Sequence, residues 1–238
     1  MGQDPAAPAD LTRWRKGLRQ ELIARREGVP SEQRRDWNLS ISLQLLRSVP
    51  WTEGQTVGFC WPHRGEYDAR QLLHSLRAQG VRGALPVIEK GPERLMRFHF
   101  WAPGTAMEDG PMGIPFPVGS AQLLPNILLV PLVGFGRSGD RLGYGGGYFD
   151  RLLASLDPQP LAIGVGYELC QVESTFPQPH DVLMDAIVTE RTLRWRQNTS
   201  LVEVGALQLR ERLEDLCTTR RDTARSTAHT VPGSFPLR

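Results

Sequence analysis

The sequence is poor in cysteine, and the three that are present do not form a recognisable site. Cys60, Cys170 and Cys217 are far apart in the chain, and no two of them make a CxxC pair. Neither a zinc site nor a disulfide framework is therefore predicted, and buried, reduced thiols are the favoured interpretation.

Long hydrophobic runs are absent as well. The longest apolar stretch, residues 127–133, has the length of a strand, whereas a membrane-spanning helix needs about 20 residues. The first ten residues are small and polar and lack the basic-then-apolar order of a secretory signal. We therefore expect a cytoplasmic protein.

Lysine is scarce, since all but Lys16 and Lys90 of the 28 basic residues are arginine. The net charge of +2 is unevenly distributed, with a net negative middle, residues 51–190, between two net positive ends. A basic N-terminal helix beside an acidic body is typical of a protein that holds an anion together with a divalent metal.

The order of the predicted elements indicates an α/β fold. Apolar residues recur at helical spacing over residues 11–26, and a second helix is expected over residues 31–47. Because strand-like and helical segments then alternate, we predict a mainly parallel sheet flanked by helices. The expected strands are residues 57–61, 84–88, 95–101, 127–133, 161–167 and 186–189, and the further helices are residues 69–79 and 148–156.

Two segments are predicted to lack regular structure. Residues 103–117 are rich in Gly and Pro and are expected to form a long loop. Beyond residue 196 the pattern decays, apart from a possible short helix at 206–217. We therefore predict one domain over residues 11–196, between a flexible N-terminus, residues 1–10, and a largely disordered extension, residues 197–238.

A glycine-rich loop is the most informative segment. Gly143, Gly145, Gly146 and Gly147 lie between a predicted buried strand and a helix start. Main-chain amides of such a loop, beside a helix N-terminus, are suited to holding phosphate. A plain tight turn is the alternative, but it needs only one or two glycines.

Two common phosphate-binding motifs are excluded. Residues 134–139 match the GxGxxG pattern, but residues 140–143 follow instead of a helix, and no strand ending in an acid lies at the required distance. A Walker A loop needs Gly-Lys-Ser/Thr, whereas Tyr148 follows Gly147 here.

The segments at residues 129–135 and 141–151 resemble the signature of the 5-formyltetrahydrofolate cyclo-ligase family, also called 5,10-methenyltetrahydrofolate synthetases. Weaker similarity extends over residues 11–190. The resemblance implies a single α/β domain of the NagB/RpiA/CoA-transferase-like fold. It also implies conversion of 5-formyltetrahydrofolate to 5,10-methenyltetrahydrofolate, with ATP consumed as a co-substrate and Mg²⁺ as the metal.

The first helix carries the expected contacts to ATP. Arg15 and Arg19 are four residues apart, so they share a face, although a solvated basic face is the favoured explanation of this pair taken alone. The family has a basic residue and an Arg at this spacing as ATP contacts. The adjacent Lys16 leaves the register open. In the loop, the ATP contacts implied by the resemblance are Arg141, Leu142, Gly143, Tyr144, Gly145, Gly146, Gly147, Tyr148 and Phe149.

Carboxylates are the candidate metal ligands. Asp150 falls in the first turn of the helix after the glycines, where a bound phosphate would also lie. By resemblance, Asp150 and Asp181 form the metal pair, with Asp185 as the reserve candidate. Asp150 is also expected to be catalytic, together with Arg141 and Tyr144.

The folate subsite is expected at the end of the first strand. By resemblance, Glu66 and Trp61 contact the folate, with Trp101, Tyr144 and Tyr148 as further candidates. For the aromatic residues other than Trp61, simple core packing is the favoured alternative. The scattered histidines and Ser138 form no metal or nucleophile pattern, and we assign them no catalytic role.

Other functions remain as alternatives. A sugar-phosphate isomerase or CoA-transferase-like enzyme would use the same loop for a substrate phosphate. A binding protein for folate or nucleic acid would account for the basic ends, but aromatic residues do not interleave with the basic stretches. We expect small-molecule substrates only, and neither nucleic acid, membrane nor an obligate protein partner.

Overall fold

The computed structural model describes residues 9–89, 91 and 95–229 of the chain, with side chains as far as residue 225. The helices are α1 Leu11–Glu27, α2 Ser31–Ser48, α3 Arg70–Arg77, α4 Tyr148–Ser155 and α5 Ala206–His229. The strands are β1 Thr56–Gly58, β2 Arg82–Ile88, β3 Met96–Trp101, β4 Met107–Asp109, β5 Pro115–Pro117, β6 Gln122–Leu123, β7 Ile127–Pro131, β8 Gly134–Phe135, β9 Arg141–Leu142, β10 Leu161–Val165, β11 Ala186–Val188, β12 Leu193–Gln197 and β13 Ser200–Glu203.

A nine-stranded sheet forms the centre of the fold, in the order β13-β12-β11-β10-β7-β1-β2-β3-β6. The five strands from β11 to β2 are mutually parallel, whereas the outer strands pair antiparallel on both sides. Strand β7 lies between β1 and β10 and is buried along its first four residues. The predicted α/β class, the parallel centre and the doubly covered β7 are therefore confirmed.

Helices cover both faces of the sheet. Leu45 of α2, Leu72 of α3 and Leu213 of α5 belong to one buried cluster, and Leu152 and Leu153 of α4 belong to the cluster on the other face. Helix α1 makes a smaller cluster, in which Leu22 and Ile23 pack with Val133 and Leu142. This packing holds α1 against the segment that precedes the glycine-rich loop.

The prediction of a structureless loop over residues 103–117 is wrong. Strands β4 and β5 pair antiparallel in this segment, with a turn at residues 110–114 between them. The two prolines of β5 hid the strand in the sequence. A proline is tolerated there because, in a two-stranded ribbon, the outer side of each strand needs no N–H donor.

The C-terminal prediction is also wrong as far as residue 229. Strands β12 and β13 form a hairpin on the edge of the sheet, and α5 continues well past residue 217. Leu209 and Leu213 are fully buried, so the first half of α5 is packed on the body of the domain. Residues 1–8 and 230–238, for which flexibility or disorder was also expected, lie outside the described residues.

Candidate active site

Most of the predicted site residues meet at the carboxyl ends of the parallel strands. The segment after β1 carries Trp61 and Glu66, and the segment after β7 forms the β8–β9 hairpin that leads into the glycine-rich loop. Because parallel strands end at one edge of the sheet, both segments lie at the same edge. Helix α1 brings Arg15, Arg19 and Arg26 to this edge.

The glycine-rich loop is open where it runs from β9 to α4. Gly145 and Gly146 are exposed, and Gly147 precedes α4 with a left-handed φ of 62° that favours glycine. A Cβ at Gly143 would lie 2.7 Å from Nη1 of Arg141, so a side chain there would displace the guanidinium. The hairpin that replaces a helix after residue 134 confirms that the GxGxxG match is not a dinucleotide site.

Three arginines surround the loop. Arg19 donates from Nε to the carbonyl oxygen of Gly143 at 2.7 Å. Arg15 donates from Nη2 to Oδ2 of Asp181 at 2.8 Å, and Nη2 of Arg141 lies 2.9 Å from Oδ1 of Asp150. Lys16 is exposed and has no hydrogen bond or ion pair among the described residues. Arg15 and Arg19 therefore lie at the loop, whereas Lys16 does not.

The arginines at the loop carry more positive charge than the neighbouring acids neutralise. Burial and the nearby Arg15 lower the pKa of the Arg19 guanidinium, while Asp181 opposes them. The Nε atoms of Arg15 and Arg141 are buried without a hydrogen-bond partner in the part of the chain that the structure describes. Buried donors are normally paired, so an anionic ligand would suit both.

Asp150 is connected to the segment of Asp181 by the main chain of Val182. The Val182 amide donates to Oδ1 of Asp150 at 3.1 Å. Oδ2 of Asp181 accepts from the Gln178 amide at 2.9 Å, in addition to Arg15. Among the hydrogen bonds of the described residues, Asp150 accepts through Oδ1 and not through Oδ2.

Asp185 is not part of this site. It is buried, and it accepts from the Ala162 amide at 2.9 Å and from both Nη atoms of Arg220 at 2.9 and 2.8 Å. Ala162 lies near the start of β10, at the opposite end of that strand from the loop. The reserve assignment of Asp185 as a metal ligand is wrong because its lone pairs are already used within the fold.

The folate subsite predicted at the end of β1 contains a buried carboxylate. Oε2 of Glu66 accepts from the His63 amide at 3.1 Å, whereas Oε1 has no hydrogen-bond partner among the described residues. Burial raises the pKa of Glu66, while Arg26 and the His63 amide lower it. The open oxygen is available to an N–H donor of a ligand.

The aromatic candidates divide between the site and the core. Trp61 is half-buried, and the Arg70 guanidinium carbon lies 4.4 Å from the centre of its ring. Trp101 is buried and packs edge-on against Phe59 at 5.3 Å. It belongs to the buried cluster of the core and also meets the ring of Trp61 edge-on at 6.3 Å. Core packing explains its position, and a substrate contact stays a prediction.

Tyr144 extends from the loop towards Glu66. Its hydroxyl accepts from Nη2 of Arg26 at 2.8 Å, and its ring lies 5.8 Å from that of His63. Burial and the negative charge of Glu66 raise the pKa of Tyr144 above its ordinary value, so the hydroxyl stays protonated near neutral pH. Tyr144 is thus a hydrogen-bond donor and not a base. Tyr148 packs at the start of α4, against Arg151.

Arg26 was missed by the sequence interpretation. It is only 1% exposed and reaches both Tyr144 and Glu66. In the sequence it is one of two adjacent arginines in the last turn of α1, where a basic residue is expected simply to favour the helix terminus. Only its place on the same face as Leu22 distinguishes it from Arg25.

The described cysteines and histidines form no nucleophilic or metal centre. All three cysteines are free, but buried thiols were expected and only Cys170 is buried, whereas Cys60 and Cys217 are half-buried. Burial raises the pKa of Cys60 and of Cys217, and raises that of Cys170 to about 11. All three are therefore protonated at neutral pH and unreactive.

Comparisons with known proteins show the family to which the chain is related. A model of the 5-formyltetrahydrofolate cyclo-ligase family matches residues 11–190. The chain is 29% identical to the 5-formyltetrahydrofolate cyclo-ligase of Haemophilus influenzae over 184 residues, which are 74% of this chain and 98% of that protein. Its identity to the protein of the same name from Escherichia coli is 27%, over 69% of this chain and 94% of that one.

Two solved structures share the fold. The 5,10-methenyltetrahydrofolate synthetase of Aquifex aeolicus matches with a TM-score of 0.65 and 26% identity, covering 80% of this chain and 96% of that chain. The Mycoplasma pneumoniae synthetase matches with a TM-score of 0.60 and 20% identity, covering 74% and 99% respectively. The likeness at 20% identity concerns the fold alone.

Proposed function

The chain belongs to the 5-formyltetrahydrofolate cyclo-ligase family, and on that premise we propose how its own residues carry out the family's reaction. It is an enzyme that converts 5-formyltetrahydrofolate and ATP to 5,10-methenyltetrahydrofolate, ADP and phosphate. The family match decides against the sugar-phosphate isomerase and CoA-transferase alternatives.

One observation carries the assignment of residues: Arg15, Arg19 and Arg141 converge on the glycine-rich loop, and two of them keep a buried N–H without a partner among the described residues. Guanidinium groups and main-chain amides of the loop are the donors that a triphosphate requires. We propose that Arg15, Arg19 and residues 141–149 bind ATP, with its terminal phosphate at the loop.

The chemistry requires alignment and charge neutralisation more than a covalent side chain. The formyl oxygen attacks the γ-phosphorus, and the bond to the ADP oxygen breaks. The N10 amine then attacks the activated formyl carbon, the carbon–oxygen bond breaks, phosphate leaves and N10 loses its proton. Arg141 and the loop amides stabilise the charge that develops on the transferred group.

The acids fit magnesium as the metal of this site. Mg²⁺ typically takes one or two carboxylates together with phosphate oxygens and waters, not a cage of protein ligands. Asp150 accepts from the amide of Val182, the residue that follows Asp181, and its Oδ2 accepts no hydrogen bond among the described residues. We propose that these two acids hold the ion, which when bound neutralises phosphate charge.

The folate is proposed to lie between Trp61, Glu66 and Tyr144. Oε1 of Glu66 is suited to accept from a ring N–H of the pterin, and Trp61 offers an apolar face. Tyr144 belongs to the loop and to this subsite, so it lies where the two substrates meet.

We expect the enzyme to act in the cytoplasm on small molecules, without nucleic acid or an obligate protein partner. In the part of the chain that the structure describes, no helix combines the length and the apolar character that a bilayer crossing needs.

The appearance of the methenyl chromophore tests the function. Purified protein is incubated with ATP, Mg²⁺ and 5-formyltetrahydrofolate, and each component is omitted in turn. We expect the chromophore only in the complete mixture, with one ADP formed per methenyl product. Chromophore formation without ATP, or ATP hydrolysis that ignores the folate, would contradict the proposal.

A further inference from the structure

Arg26 is a charged side chain in the interior of the protein. It lies in the last turn of α1 and is 1% exposed. Burying an arginine is costly unless its N–H groups are paired, and here each nitrogen has a partner. Nε donates to the Arg64 carbonyl at 2.9 Å, Nη1 to the Leu132 carbonyl at 3.0 Å and Nη2 to the Tyr144 hydroxyl at 2.8 Å.

These partners come from the segments that form the two halves of the site. Arg64 belongs to the turn that carries Glu66, Leu132 follows β7, and Tyr144 lies inside the glycine-rich loop. Nη2 of Arg26 is also 3.8 Å from Oε1 of Glu66, the oxygen that has no hydrogen bond among the described residues. One planar guanidinium therefore links the folate segment to the nucleotide loop.

We propose that Arg26 is a positioning residue that couples the two substrates, so that each raises the affinity of the protein for the other. This inference rests on the proposed function. A folate that donates to Oε1 of Glu66 orders the side chains around Arg26, including Tyr144. Because Tyr144 is part of the loop, the loop is then held in the conformation that binds the triphosphate. The entropy of ordering the loop is therefore no longer lost when the nucleotide binds.

The simpler alternative is that Arg26 only stabilises the end of α1. Its neighbour Arg25 has that role without the contacts to the site, since it is exposed and pairs with Glu21 on its own helix. The two arginines lie in the same helical turn, so equal substitutions at both positions separate an effect on the helix from an effect on the site.

The experiment measures the affinity for a β,γ-imido analogue of ATP with Mg²⁺ by calorimetry, with and without saturating 5-formyltetrahydrofolate. In the unmodified protein we expect the folate to lower the Kd of the analogue by about tenfold, within the range usual for linked sites. Tyr144→Phe removes only the hydroxyl that Arg26 contacts and is half-exposed, so the fold is kept. This variant should reduce the factor to less than about twofold.

Substitutions of the arginines complete the test. Arg26→Lys keeps the charge but cannot hold three acceptors at once, so it should also lose the coupling. Arg25→Lys should retain the factor of the unmodified protein. An unchanged factor in Tyr144→Phe would overturn the inference, as would a factor of one in an unmodified protein that turns over the folate with ATP. Absence of turnover would instead refute the proposed function itself.

Discussion

Arg15 and Asp181 hold each other across the site, with Nη2 and Oδ2 2.8 Å apart and both side chains largely buried. A residue proposed to bind ATP is thus paired with one proposed to bind the metal. Each provides the charge that the other's ligand would bring, so neither of these two side chains is an unpaired charge in the protein without substrate. When metal and nucleotide bind together, the ion pair between Arg15 and Asp181 is replaced by two, one between Arg15 and the nucleotide and one between Asp181 and the metal.

The pair Arg15–Asp181 predicts that the affinities for metal and nucleotide are linked. Asp181→Asn should raise the Mg²⁺ concentration needed for half-maximal activity by about tenfold or more, because one anionic ligand is lost. Glu173→Gln, which disrupts an exposed pair with Arg137, is the matched control and should have no effect. An unchanged requirement for Mg²⁺ in Asp181→Asn would remove this acid from the metal site.

Arg19→Ala should raise the KM for ATP by about tenfold or more, since a charged hydrogen-bond donor to the nucleotide is removed. The KM for the folate should change much less, because Arg19 contacts the loop and not the segment after β1. Initial rates at varied ATP provide the measurement, with Lys16→Ala of the exposed face as the control. An unchanged KM for ATP would place Arg19 outside the nucleotide site.

Asp150→Asn should reduce kcat by about a hundredfold or more while leaving folate binding largely intact. The substitution keeps the shape and the contact to the Val182 amide, but removes the charge that faces Arg141 and the metal. Turnover follows from the chromophore assay, and folate affinity from calorimetry. Equal loss of both would mark Asp150 as a structural residue.

Arg220→Ala should lower the free energy of unfolding by about 2 kcal/mol, because the buried Asp185 would lose its bidentate partner and keep only Arg196 and the Ala162 amide. Arg210→Ala breaks an exposed pair on the same helix and should cost less than about 0.5 kcal/mol. Urea unfolding of both variants measures the difference. A Mg²⁺ requirement altered by Arg220→Ala, without a loss of stability, would contradict the structural role of Asp185.

His63 should titrate below its ordinary pKa of 6.5, since burial and then Arg64 and Arg26 disfavour the imidazolium. The folded protein therefore takes up this proton later than the unfolded chain as the pH falls, so His63 makes stability decrease below about pH 6.5. Arg64→Gln should raise the pKa of His63 towards its ordinary value, as followed by NMR of the ring protons. A midpoint that does not move would exclude Arg64 as a cause.

The sequence was sufficient for the centre of the fold because local pattern and tertiary environment agree there. The apolar run of β7 is buried by strands on both sides and by helices on both faces, so hydrophobicity alone identifies it. Likewise the spacing of Arg15 and Arg19 correctly put both on one face of α1. The loop was identifiable because four glycines in five positions are more than a plain tight turn needs.

The other features of the fold and of the site could not be predicted, because they depend on contacts between segments that are far apart in the sequence. Arg26 resembles any basic residue near a helix end, and its importance arises from partners 38 to 118 positions away. Asp185 and Asp181 are both acids close to a strand, and they differ in their arginine partners, which are Arg196 and Arg220 for Asp185 and Arg15 for Asp181. Helix α5 was underestimated because its second half is kept in place by the ion pair between Arg220 and Asp185 and not by an apolar stripe.

The hairpin β12–β13 extends the sheet beyond the last residue that the family model matches. Strand β11 is consequently an inner strand, with its main-chain N–H and C=O groups satisfied on both sides. A shortened gene that ended at residue 190 would leave that row of groups exposed to solvent, next to a strongly apolar strand. An exposed strand edge of this kind can pair with the same edge of another molecule. The shortened product should therefore self-associate during expression and not be an active monomer.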